Sequence, residues 1–115
     1  MNSTDTDRNE GLRQRLQARG AELRERVQRV RQDLGRETNP LPRDSSDAAI
    51  ALENDEILEA IEDSALREIN HIERALARMD SGRLDDCERC DEKIDEARRR
   101  AVMYATLCRN CAGDA

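Results

Sequence analysis

The sequence predicts a mainly α-helical fold, a long antiparallel helical hairpin of coiled-coil type followed by a small C-terminal C4 zinc-finger module. Three observations lead there: two extended runs of apolar residues at helical spacing, a proline-containing break between them, and four cysteines gathered near the end of the chain. Composition narrows the choice first. Of 115 residues 40% are charged, one is Tyr and none is Phe or Trp, so the aromatic core of an ordinary globule cannot be built. Leu, Ile and Val together number only 20, a poverty that signals disorder in an unpatterned chain. Ala, Glu, Leu, Lys and Arg, however, make up about half of the residues, the composition of long helices. Periodicity therefore decides.

Residues 1–8 are polar and are expected to be disordered. From Asn9 to Arg36 the apolar residues fall at Leu12, Leu16, Leu23, Val27, Val30 and Leu34, spacings that keep one helical face apolar. Gly20 interrupts that face at a cost of about 1 kcal/mol relative to Ala. Gly35, Asn39, Pro40 and Pro42 then end the helix, because Pro lacks an amide hydrogen and pushes its predecessor out of helical geometry. A second pattern follows Asp44-Ser45-Ser46-Asp47, with Ile50, Ile57, Ile61, Ala65, Ile69, Ile72, Leu76 and Met79 in its seam, and ends near Ser81-Gly82. The hairpin is thus assigned to residues 9–81, with its tip at about 37–49.

Charge explains why these helices should pair with each other. Residues 8–36 hold nine Arg against four acids, whereas residues 44–81 hold eleven acids against three Arg. A basic and an acidic helix joined by a short turn favour an antiparallel pairing, with the apolar seam supplying the stability and the charges choosing the partner. A monomeric hairpin is expected, and a self-associating bundle is the competing structure.

Residues 82–115 hold the cysteines, as Cys87-Glu88-Arg89-Cys90, seventeen residues, then Cys108-Arg109-Asn110-Cys111. Two C-x2-C pairs supply four thiolates, a complete tetrahedral shell for one structural Zn²⁺ with no position left for water or substrate. An iron site of the same ligands, disulfides and a redox dithiol are the alternatives. Arg89, Arg98, Arg99 and Arg109 are available to offset the charge of a tetrathiolate centre. Between the pairs, Ile94, Ala97, Ala101 and Tyr104 predict a short helix over 91–104, with Arg98-Arg99-Arg100 as a solvated, ion-paired surface.

Several function classes are excluded. A net charge of −6 argues against direct binding of free nucleic acid, whose phosphates demand a basic surface. No stretch is long and apolar enough to span a membrane, and the N-terminus lacks the features of a secretory signal, so a cytoplasmic location is expected. The one His, His71, has no Cys, Asp or Ser motif beside it, and no Gly-rich phosphate loop is present, so no enzyme is predicted.

Asp44 and Asp47 lie where the second helix begins, and helix capping alone would account for them. Their place at the far tip of a hairpin adds a second meaning, since an acidic end suits a narrow cavity. With Asp44, Asp47 and Ala49 forming D-x-x-D-x-A at this tip, and with Gly82, the four cysteines, Ile94, Arg98, Ala101, Ala105 and Leu107 in the zinc module, the sequence resembles the DksA/TraR family of bacterial RNA polymerase secondary-channel regulators. The resemblance covers residues 10–111.

The resemblance implies a bacterial transcription regulator that binds RNA polymerase. Its hairpin would enter the secondary channel, with Asp44 and Asp47 near the active centre, and modulate promoter open complexes without catalysing a reaction. The alternative is a zinc-stabilised coiled-coil module for another protein partner. Family members often work with the alarmone ppGpp. Here the chain ends four residues after Cys111, without the family's C-terminal helical extension, leaving Arg67 and His71 as candidates to hold the nucleotide, so little or no ppGpp binding is expected. The family's usual Gly after the second Cys is Asp91, its aromatic is Leu84, its Leu after Arg98 is Arg99 and its Pro is Met103, departures that leave room for a less regular zinc turn.

Overall fold

The computed structural model describes residues 3–37 and 39–113. Four helices follow in order: α1 (Ser3–Leu34), α2 (Ser45–Asp80), α3 (Glu96–Ala101) and α4 (Arg109–Gly113). Among the described residues the β pairing amounts to one isolated antiparallel bridge, Asp86 to Lys93. Helix α1 begins at Ser3, inside the polar stretch 1–8. Ser, Thr and Asp there are weak helix formers, but no Gly or Pro interrupts the chain before Gly11. Met1 and Asn2 lie outside the described residues.

The chain divides into two compact units, residues 21–69 and residues 1–20 with 70–115. In the first, α1 buries Leu23, Val27 and Val30 while α2 buries Ala65 and Ile69. Arg31 pairs with Glu62 and Arg36 pairs with Asp55, so residue numbers fall on one helix as they rise on the other, as in an antiparallel hairpin. The turn is compact: the Asn39 amide donates to the Gly35 carbonyl at 2.9 Å, and Asn39 Nδ2 donates to the Asp33 carbonyl at 3.0 Å.

One part of the predicted seam is corrected here. Ile50, Ile57 and Ile61 are 56%, 59% and 39% exposed, and the partly covered positions are instead Ala51, Asp55, Leu58 and Glu62. That face lies one residue further round, about 100°. The reason is chemical: α1 offers only Val30 and half-buried Leu34 near the turn, while Arg31 of α1 and Arg36 just after it pair with Glu62 and Asp55 of α2.

In the second unit the buried apolar side chains of the two long helices are Leu12 and Leu16 on α1 and Ile72, Ala75 and Met79 on α2, with Arg13 paired to Asp80 at 2.8 Å. Helix α2 stops in a Schellman turn. The Arg83 amide donates to the Arg78 carbonyl at 2.9 Å and the Gly82 amide to the Met79 carbonyl at 3.1 Å, with Gly82 at φ +73°. A left-handed residue is required there, and Gly adopts that conformation without a steric penalty. The expected helix over 91–104 is shorter, because Asp91 is left-handed and Lys93 is in the bridge. It starts only after Asp95 and buries none of its residues.

Candidate metal centre and hairpin tip

The four cysteines converge. Cys87 and Cys90 leave one turn of chain, Cys108 precedes α4, and Cys111 lies within it, so their Sγ atoms all fall within 4.8 Å of one another. The Cys90 and Cys108 sulfurs are 3.7 Å apart, far beyond a disulfide bond but close to the edge of a tetrahedron with metal–sulfur bonds of about 2.3 Å. All four are free thiols. Cys87, Cys108 and Cys111 pack with Ile94 and Leu107 into one small core, whereas Cys90 is exposed. This donor set fits Zn²⁺, and the finger carries one structural zinc.

Backbone amides prepare the turn for thiolates. Burial pushes the Cys87 thiol up, but hydrogen bonds from the backbone of Cys108, Cys90 and Arg89 outweigh it and bring it down to about 6. The neighbouring Cys108 thiol, burial, and then the Cys87 and Cys90 thiols push Cys111 up to about 12. Four sulfurs this close cannot all ionise without a cation between them. The Cys111 amide also lies 3.5 Å from Cys108 Sγ, a contact that orients the sulfur.

The zinc turn is regular despite Asp91. The Cys87 amide donates to the Glu92 carbonyl at 2.7 Å and the Asp91 amide to the Cys87 carbonyl at 3.0 Å, a closure that puts Asp91 at φ +63°. Asp is among the few residues that tolerate this region, and Arg83 Nη2 donates to its Oδ1 at 2.8 Å. Leu84, in the place of the aromatic, is buried.

Sequence reasoning missed the arginines that position the finger. Arg98 Nε donates to the Leu107 carbonyl at 2.8 Å, and Arg99 donates to the Leu84 carbonyl while pairing with Asp85, so only Arg100 of the triplet is fully exposed. The expected solvated surface is therefore largely a set of carbonyl clamps. On α2, Arg78 Nη2 donates to the Asp86 carbonyl at 2.8 Å and Arg74 Nη2 to Glu88 Oε2 at 2.6 Å. The Arg74 hydrogen bond also holds the Glu88 carboxyl below the usual carboxylate range. His71 stacks on Tyr104, with ring centroids 5.4 Å apart and planes 10° from parallel. Nothing in residue spacing announces these long-range pairings.

At the tip, Asp44 caps α2. Its Oδ1 accepts from the amides of Ser46 at 2.8 Å and Asp47 at 3.1 Å, and its carbonyl accepts from Ala48 at 2.8 Å. Asp47 sits in the first turn, exposed, where its charge complements the helix dipole. Its carboxylate has no hydrogen-bond or ion-pair partner among the described residues, and Ala49 is exposed beside it.

A helical hairpin with a C4 zinc finger is the class of protein that these elements define. Residues 12–79 match the family described as DnaK suppressor protein-like, N-terminal domain, and residues 81–115 match the prokaryotic dksA/traR C4-type zinc finger. The chain belongs to the DksA/TraR family, whose members are regulators rather than enzymes. Its fold is similar to that of transcription factor DksA2 from Pseudomonas aeruginosa, with a TM-score of 0.78 at 24% identity over 96% of this chain and 84% of that one. A protein of Aquifex aeolicus (strain VF5), described as uncharacterized, is 30% identical over 106 residues, 90% of this chain and 72% of its own length. No helix among the described residues is long and apolar enough to cross a membrane.

Proposed function

We propose that the chain binds RNA polymerase through its secondary channel as a monomer in the bacterial cytoplasm, and alters the lifetime of promoter open complexes with Asp44, Asp47 and Ala49 at the active centre. The observation that carries this reading is the unpartnered carboxylate of Asp47, presented on the first turn of a helix whose N-terminus Asp44 already satisfies. The cap fixes the backbone, so the second acid and Ala49 are offered outward without local competition. Regulation of this kind requires only that the factor bind two states of the polymerase unequally. The zinc finger has no open coordination position and serves as scaffold.

The proposal includes action without ppGpp at this interface. Of the two candidate residues, His71 has one ring face covered by Tyr104.

The test is the Asp44→Asn, Asp47→Asn double variant with purified RNA polymerase. Asn caps a helix as well as Asp does, so the fold persists while both charges are lost. The variant should still compete with another secondary-channel factor for the polymerase but should leave open-complex lifetimes unchanged. A wild-type protein that does not compete would favour a coiled-coil module with some other partner.

A further inference from the structure

We infer that the unit formed by residues 1–20 and 70–115 carries a binding cavity for a small aliphatic anion, a hydrocarbon chain ending in a carboxylate or phosphate. A cavity of about 570 Å³ opens there, a volume within the range of small-molecule sites. Buried Leu12, Met79 and Leu84 form its apolar lining together with half-buried Met103. None of the lining residues is aromatic, so a flat base has no ring to stack on, whereas methionine side chains adapt to a flexible chain.

The charges around it select the sign of the ligand. Two of its arginines are spoken for, Arg8 by Glu96 at 3.4 Å and Arg99 by Asp85 at 3.1 Å. Arg15 and Arg100 also line it, and neither has an ion-pair partner among the described residues. The lining therefore carries a surplus of two positive charges in a chain of net charge −6, over an apolar floor that concentrates their field. Arg99 itself is held in place by the Leu84 carbonyl and Asp85, so it shapes the wall of the cavity and leaves the charge surplus to Arg15 and Arg100.

Methyl NMR of the intact zinc-loaded protein tests this, because Met79 and Met103 line the cavity and Ile57 does not. Titration with octanoate should shift the Met79 and Met103 methyl signals saturably while leaving Ile57 in place. The Arg15→Ala, Arg100→Ala variant, which removes two unpaired side chains and no clamp, should bind octanoate about tenfold more weakly with the same folded spectrum. Equal affinity for 1-octanol, binding of inorganic phosphate as tight as that of octanoate, an undiminished affinity in the double variant, or no saturable shift would each overturn the assignment.

Discussion

Arg31 Nε donates to Glu62 Oε2 at 2.6 Å, an ion pair from the basic helix to the acidic one that lies one residue round α2 from exposed Ile61. Such a pair contributes only about 0 to 1 kcal/mol where it is solvated, but it helps decide which face of α2 turns inward. The isoleucines of the distal half are therefore not a seam.

This predicts unequal costs for two apolar substitutions in the same unit. Ile57→Ser should change stability by about 0.5 kcal/mol or less, as at an exposed site. Leu23→Ala, at a fully buried position, should cost about 3 kcal/mol. Thermal unfolding of the two variants separates them, and a comparable loss for Ile57→Ser would place that residue back in the seam.

The two left-handed residues near the first cysteine pair give a second prediction. An added Cβ at Gly82 would meet nothing within 4 Å, so Gly82→Ala should cost about 1 kcal/mol through backbone conformation alone. Asp91→Val should cost more, about 2 kcal/mol, because a β-branched residue in that region also forfeits the Arg83 contact. Stability measured at constant free zinc reads both. A neutral Asp91→Val would mean that the turn does not need a positive φ.

Zinc removal should be selective. The protein is expected to hold one equivalent of zinc per chain, and chelation should unfold residues 83–113, whose small core is built around the ligands themselves. Amide exchange should rise there and not over residues 21–69, which bury Leu23, Val27 and Ile69 without the metal. Exchange that rises equally in both units would show the hairpin to depend on the finger.

The pH dependence of zinc affinity follows from the same sulfurs. With Cys111 at about 12, zinc must displace a proton from it at any physiological pH, so affinity rises with pH. Cys87, at about 6, is already a thiolate at pH 7 and has no proton to release. Below about pH 6 it does, and the slope of log affinity against pH should steepen by about one. Competition titrations between pH 5 and 8 measure it; a constant slope would remove the amide-stabilised thiolate at Cys87.

At the tip, the cap and the charge of Asp44 can be separated. Asp44→Ala should lower stability by about 1 kcal/mol, whereas Asp44→Asn should leave it nearly unchanged. Helix content followed through thermal unfolding gives both values, and equal losses would show that the cap is held by something other than the side-chain oxygen.

What could be read from the sequence was what local spacing encodes. The apolar face of α1 from Leu12 to Val30 is the buried face, and the C-x2-C pairs meet as their spacing requires. Spacing did not show that Ile50, Ile57 and Ile61 face solvent, since their periodicity fits a seam equally well and only the ion pairs from Arg31 and Arg36 tell the two faces apart. The same holds for Arg98 and Arg99, which look like surface charge until the chain brings the carbonyls of Leu107 and Leu84 to them. Asp91 was legible as a departure, and the backbone explains it: the position asks for a conformation, and Asp can adopt it.

The stack of His71 on Tyr104 makes the protein its own reporter. With no Trp and no other Tyr, all intrinsic emission above the peptide background arises from Tyr104, which sits in the zinc-finger segment against a ring carried by α2. Its fluorescence therefore tracks whether finger and helix remain together, and does so without a dye, a tag or a substitution.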